Sequence, residues 1–341
     1  MFTWQTYADI VKPGISFQHN DWEIACDNTY TCRAAGYQGD EDDLAISVLL
    51  TRRAGANQSV EGKVMLGSYS DDDPLSDMPK IFKLTMTING KKDGAVLIDK
   101  NNLVTDLSPT QVTDLITSLR HSSTITFSSG EHVWTLSDRG AAAVLLKMDE
   151  YQGRIGTTGA LIRNGNKSED SVFKSVPVPV IVSPSFPKIR PSDKKIVTTE
   201  ALLNELKATV GSQGEDSDCL GLQEGDVHVE LAERLSDKKL LVSAQCWLAA
   251  YNDGSGYWII NDVPPYDPEL VTSSATDYGS GIITSTQKGR GLGDCWSTEG
   301  WTWDGKQFVH SESSTTGMCK LVAPGGAWTL PTIVTQVKAQ N

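Results

Sequence analysis

Asp21-Trp22-Glu23-Ile24-Ala25-Cys26-Asp27-Asn28-Thr29-Tyr30-Thr31-Cys32-Arg33-Ala34-Ala35-Gly36-Tyr37 is the stretch on which the fold reading turns. Residues 21–25 and 32–37 read as two short strands, because a polar run of Asp27, Asn28, Thr29 and Tyr30 separates them and favours a turn. Cys26 and Cys32 stand at the mouths of that turn. Facing β-carbons of antiparallel strands lie close to the ~4 Å that a disulfide needs, so the unit is expected to be a hairpin closed by its own cysteines.

Working outward, residues 44–51, 60–66 and 81–88 are further strand candidates, and Asn89-Gly90 is a tight-turn dipeptide across which residues 95–98 pair back. Ser108-Pro109 supplies a helix N-cap and a first-turn proline, after which Val112, Leu115, Ile116 and Leu119 fall on one helical face. Residues 124–127 and 132–136 form a hairpin over Ser129-Gly130, and Asp138 is expected to cap a helix carrying Ala142, Leu145, Leu146 and Met148.

Pro177, Pro179, Pro184, Pro187 and Pro191 suppress regular structure, and a boundary is expected there. Beyond it, residues 199–210 read as a capped helix, and residues 227–235, 239–250 and 257–260 as strands. Trp301-Thr302-Trp303-Asp304-Gly305-Lys306-Gln307-Phe308 is another hairpin with Asp-Gly at its tip. The expected class is α+β, predominantly β: two β-rich domains, sandwich or barrel like, with a few short helices. An N-terminal domain with two helices spans 1–163, a proline-rich linker 164–196, and a C-terminal domain with one helix 197–341.

The length of 341 residues itself favours two domains. With 30 Lys+Arg against 43 Asp+Glu, the net charge of -13 repels phosphate backbones and anionic headgroups, which disfavours nucleic acid and membrane surfaces as partners. No apolar run approaches the ~20 residues of a membrane span.

The six cysteines are even in number within each half. That parity favours disulfides, with free buried cysteines of a cytosolic protein as the alternative. Strand adjacency and domain separation select Cys26–Cys32, Cys219–Cys246 and Cys295–Cys319. The latter two loops of ~25 residues are each expected to stabilise by about 3 kcal/mol.

The stretch 21–37 resembles the opening signature of the domain of unknown function 1176 family, whose members are exported by Gram-negative bacteria. The likeness continues at Cys246-Trp247-Leu248-Ala249-Ala250-Tyr251-Asn252 and Trp301 to Phe308, and closes with Cys319 and Gly325-Gly326-Ala327-Trp328-Thr329-Leu330-Pro331-Thr332. Two positions depart from the family pattern: Ala249 replaces a glycine and Lys320 an arginine. The first domain is also loosely similar to invasion-associated locus B proteins, which share an early Trp-and-Cys strand and a late hairpin followed by an alanine-rich helix. The family resemblance implies export and disulfides but no chemistry. With the cysteines, it leads to the expectation of a periplasmic or secreted protein whose signal peptide has been removed, since Met1-Phe2-Thr3-Trp4 opens no such signal.

Catalytic motifs are not found. There is no Gly-x-Ser-x-Gly elbow, and the Ser-x-x-Lys pairs Ser171/Lys174, Ser192/Lys195 and Ser236/Lys239 lie in or beside the proline segment or in a charged turn, without their partner motifs. His19, His121, His132, His228 and His310 stand singly, so no zinc site is seeded. The runs Asp40-Glu41-Asp42-Asp43 and Asp71-Asp72-Asp73 lack calcium-loop spacing, and Gly289-Arg290-Gly291-Leu292-Gly293 lacks the strand and helix of a phosphate cradle. The reading is no catalytic residue, no metal and no cofactor.

Tryptophan remains, with Trp247, Trp258, Trp296, Trp301, Trp303 and Trp328 in the second half. Trp301 and Trp303 share a face of one strand and are expected to face solvent as a stacking surface, with core packing as the alternative. The expected function is a non-catalytic binding or interaction module for an envelope glycan, a peptide or another protein. The alternatives are a hydrolase with carboxylates drawn from distant strands, and a structural or stress-related envelope protein.

Overall fold

The computed structural model describes residues 11–67, 69, 75–210, 219–223 and 227–340. A six-stranded antiparallel sheet runs in the order β1 (Ile15–His19), β2 (Trp22–Cys26), β3 (Cys32–Tyr37), β4 (Ile46–Arg52), β5 (Val60–Leu66) and β8 (Val104–Asp106). Against it packs a four-stranded sheet ordered β10 (His132–Leu136), β9 (Ile125–Ser129), β6 (Ile81–Ile88) and β7 (Lys91–Asp99). Helices α1 (Pro109–Ser118) and α2 (Ala141–Tyr151) complete one core that includes Trp22, Ile24, Val48, Phe127 and Trp134.

The reasons are mostly local. Ser108 and Gln111 close a reciprocal capping box on α1, and Val112, Leu115 and Ile116 are buried beneath it. At α2 the expected cap is corrected. The helix starts after Gly140, which has no side-chain cap bond, and Asp138 instead accepts from the Ser123 N–H at 2.7 Å. Gly36 lies directly opposite Trp22, where a Cβ would sit 2.3 Å from the indole, so only glycine admits that ring to the core.

Residues of the proline segment carry strand β11 (Val180–Ser183), which pairs in parallel with β21 (Gln336–Ala339), and helix α3 (Asp193–Ile196). Helix α4 (Glu200–Thr209) then packs on a four-stranded sheet of β12 (Val229–Arg234), β13 (Lys239–Leu248), β14 (Asp253–Asn261) and β15 (Glu269–Ala275). Strand alternation divides β13 cleanly: Leu240 and Val242 pack with α4, whereas Leu241 packs with the next sheet. That sheet has five strands, β16 (Asp277–Gly279), β17 (Ile282–Lys288), β18 (Trp296–Trp303), β19 (Phe308–Thr315) and β20 (Leu330–Ile333). The disulfides are Cys26–Cys32, Cys219–Cys246 and Cys295–Cys319.

The six-stranded sheet is covered on both faces. Its outer face carries Ala25, Ala35 and Tyr37, which pack with Val322, Ala327, Trp328 and Leu330 from the C-terminal stretch. The polar turn of the first hairpin takes part in this contact. The Asn28 side chain both donates to and accepts from the backbone of Val334, at 3.1 and 2.7 Å.

Candidate functional site

Where the edge of this outer face meets β18, β19 and β20, a groove opens. It has two lobes of ≈ 480 and ≈ 470 Å³ that share Gln18, Glu23 and Thr315. Gln18 and Glu23 are direct neighbours across β1 and β2, so both side chains leave the sheet on this face.

Glu23 is the pivot. Its Oε1 accepts from the Tyr37 hydroxyl and from the Met318 N–H, each at 2.7 Å, while Oε2 has no hydrogen-bond partner among the described residues. Burial pushes the carboxyl above the usual range, and the two donated bonds only partly offset it. Burial, together with the Glu23 charge, also drives the Tyr37 phenol well up, which keeps it a donor. The loop that brings Met318 in depends on Gly317, whose φ is +96° and whose Cβ would lie 2.2 Å from the Tyr37 oxygen. Next along, Lys320 Nζ bridges Asp21 at 3.0 Å and Asp40, leaving that cation committed.

One lobe is walled by Trp296, Met318 and the Cys295–Cys319 disulfide. Trp296 is half-buried, its Nε1 donates to the Gly293 carbonyl at 2.9 Å, and Lys288 Nζ lies 5.3 Å from the ring centroid. The other lobe holds Glu299, Ser313 and Thr332. Glu299 sits between two partners: His310 Nε2 on one oxygen and the Ser313 hydroxyl, at 2.9 Å, on the other. A Ser-His-acid triad needs the imidazole between the hydroxyl and the acid, whereas here the acid is in the middle, so these three groups do not form one.

Trp301 and Trp303 do not form the expected exposed surface, and that expectation is corrected. Trp303 is 1% exposed and packs with Leu241, Ile259 and Ile283, while Trp301 is half-buried and stacks on His310 at 5.4 Å between centroids. The two do share a face, but the neighbouring sheet and Phe186 cover it. Trp247, Trp258 and Trp328 donate to Ser273 O, Thr209 Oγ1 and Ser47 Oγ, as packed indoles do.

Among the sequence candidates, Asp40 pairs with Lys320, His132 with Asp77 at 3.1 Å, and Asp71 to Asp73 lie outside the described residues. Gly289 passes so close to the Cys295–Cys319 disulfide that a Cβ would lie 2.7 Å from Cys295 Sγ. Among the described residues, Asp294, Cys295 and Cys319 bring potential metal-ligand atoms within 4.8 Å of one another. Both sulfurs are in the disulfide, and the Asp294 carboxylate is taken by Arg290 and by the Leu321 N–H, so the group offers a metal little. Sequence reasoning passed over Glu23 and Glu299, and it named Trp296 among the tryptophans without selecting it. Only Trp296, beside Cys295, had a signal that could have singled it out.

Fold and groove together define a disulfide-bonded, mostly β protein whose two halves share one cleft. The chain belongs to the family described as "Protein of unknown function (DUF1176)", whose model matches residues 16–335. It is similar to "Uncharacterized protein YpfG" of Escherichia coli (strain K12), at 25% identity over 321 residues, covering 85% of this chain and 84% of that protein. No solved structure matches it.

Proposed function

We propose that this is an exported, periplasmic protein that acts as a non-catalytic binding module, with its ligand in the groove between the two halves. The observation that carries the reading is the composition of the groove. A half-buried indole, a carboxylate oxygen without a partner among the described residues and several hydroxyls converge on one cleft walled by both halves. Three disulfides with no free cysteine among the described residues support an oxidising compartment. Among the described residues no helix is long and apolar enough to cross a membrane.

The test follows tryptophan fluorescence during titration with soluble peptidoglycan fragments and with a synthetic peptide library. The expected result is a saturable change that Trp296→Ala removes without lowering the melting temperature. A change that survives Trp296→Ala, or no change with either probe, refutes the groove as the site. Export is tested separately, by fractionating cells of the source organism and asking whether the protein appears in the periplasm with its cysteines protected from alkylation.

Glu23 and Glu299 line the same lobe, which favours a carboxylate hydrolase as the second reading. That reading requires turnover of a glycan that both Glu23→Gln and Glu299→Gln abolish. Hydrolysis unaffected by either change excludes it.

A further inference from the structure

The groove has an open backbone edge as well as side chains. Strand β1 pairs with β2 on one side, and among the described residues no strand pairs with its other side. The phase of its hydrogen bonds follows from two observed contacts. Tyr37 N–H donates to Asp21 O at 3.0 Å, so odd-numbered residues of β2 bond toward β3 and even-numbered ones toward β1. Their partners on β1 are Ile15, Phe17 and His19. Ser16 and Gln18 therefore turn N–H and C=O away from the sheet. Gly14, in phase with them, does so visibly, its N–H reaching Thr332 O at 2.8 Å.

Both Ser16 and Gln18 line the groove, and their two N–H and two C=O groups leave β1 on its unpaired side beside it, about 6.8 Å apart along the strand. Edge strands are normally blunted with lysine, proline or a bulge, but Ile15-Ser16-Phe17-Gln18-His19 has no charge or proline and pairs without irregularity. The charge at this edge is negative. Glu23 Oε2 and Glu299 lie in the groove, Lys320 is neutralised by Asp21 and Asp40, His310 is bonded to Glu299, and Lys288 is over Trp296.

We propose that the free edge of β1 takes an extended peptide as an added strand, and that a lysine or arginine side chain of that peptide seats on Glu23. A residue opposite Gln18 on the added strand stands two inter-strand spacings from Glu23, roughly 10 Å, and its side chain leaves on the same face. A lysine reaching across Gln18 covers most of that distance, and its acceptor is the Oε2 that Tyr37 and Met318 leave without a partner among the described residues. Backbone pairing supplies affinity that any sequence can use, and the carboxylate selects for cations and against acidic peptides. This inference rests on the groove being the binding site and adds the class of ligand.

The experiment uses the full chain and a fluorescein-labelled peptide of alternating lysine and valine, compared with the same peptide N-methylated at alternate residues and with lysine replaced by glutamate. Methylation preserves charge and removes strand pairing. The expected result is a loss of about tenfold or more in affinity for each altered peptide. Glu23→Gln should cost about tenfold for the lysine peptide, since both bonds that Oε1 accepts are kept while the charge is lost. Ser16→Pro should abolish binding, and the fold should tolerate it because the N–H it removes points away from β2. If that variant melts early, slowed amide exchange at Ser16 and Gln18 on peptide binding carries the same information.

Equal affinity of the parent and N-methylated peptides overturns strand addition and leaves only attraction to an acidic protein. Equal affinity of the lysine and glutamate peptides overturns the role of Glu23. If no peptide binds while peptidoglycan fragments still give the Trp296-dependent fluorescence change, the peptide inference fails and the groove reading stands. If neither probe binds, both fail.

Discussion

Arg154 in the first half and Arg234 in the second are both fully buried, and each clamps a carboxylate from the proline-rich segment, yet they do so in different ways. Arg154 donates to Glu169 at 2.5 Å, to Gln152 Oε1 at 2.8 Å and to the carbonyl of Gly55 at 2.7 Å, and Glu169 also accepts from Thr157 and the Asn57 N–H. Close by, Arg52 lies 3.8 Å from Asp149. Burial and then the Arg154 charge push the Arg52 guanidinium down to about 10, while burial pushes the Asp149 carboxyl up despite the N–H groups of Leu161 and Ile162. Arg234 instead grips Asp193 with a two-pronged fork and shares Asp262, which is partly open to solvent. The first clamp is a closed network of two cations and two anions, whereas the second opens to solvent through Asp262, which the exposed Arg190 guanidinium also approaches at 3.8 Å. Together they pin the proline segment near each of its ends, and β11 pairs with β21 between them.

Breaking the closed clamp should have the largest effect. Glu169→Gln leaves Arg154 buried without its main countercharge and should cost about 3–5 kcal/mol in a denaturant titration, whereas Asp193→Asn, with Asp262 still on Arg234, should cost about 2–3. Equal losses would mean that Asp262 does not compensate.

Acid should undo both clamps. Bonds from Arg234 hold the Asp193 carboxyl below its usual range, and for Glu169 burial raises the pKa but the bonds from Thr157, Asn57 and Arg154 outweigh it. A depressed carboxyl contributes stability above its unfolded pKa of about 4, and that stability is lost as pH falls through the lower folded value. Melting temperature should therefore drop below about pH 4, and less steeply in a Glu169→Gln, Asp193→Asn double variant. A parallel drop in both proteins would place the acid-sensitive groups elsewhere.

Between the clamps, residues 173–178 are exposed and trypsin should cut first after Lys174. The two fragments should still co-elute in native gel filtration, held by the packing of Ala25, Ala35 and Tyr37 on Val322, Trp328 and Leu330. Simultaneous loss of both halves would mean that the clamps fail together.

Glu23 gives the smallest effect, with the opposite sign. Its pKa is raised, so the stability it contributes is present below the unfolded value and is lost as pH rises through the folded one. Glu23→Gln should slightly raise the melting temperature at pH 7 and leave it unchanged in acid. A clear destabilisation at pH 7 would show that the ionised carboxylate is needed for the fold.

Local chemistry in the sequence determined the first hairpin and its disulfide, the capped helix α1 and the Asp304-Gly305 turn, because turn residues, caps and neighbouring cysteines act over a few positions. Alternation also placed Trp301 and Trp303 on one side of β18, but alternation reports only that two residues share a face and says nothing about what covers it. The neighbouring sheet and Phe186 cover that face, and no local pattern announces them. Likewise Glu23 looks like an ordinary solvent-facing strand residue until the loop carrying Gly317 and Met318 closes over it. Tertiary structure alone decided the groove and the free edge of β1, because both depend on which distant strands stop beside one another and which backbone groups they leave unpaired.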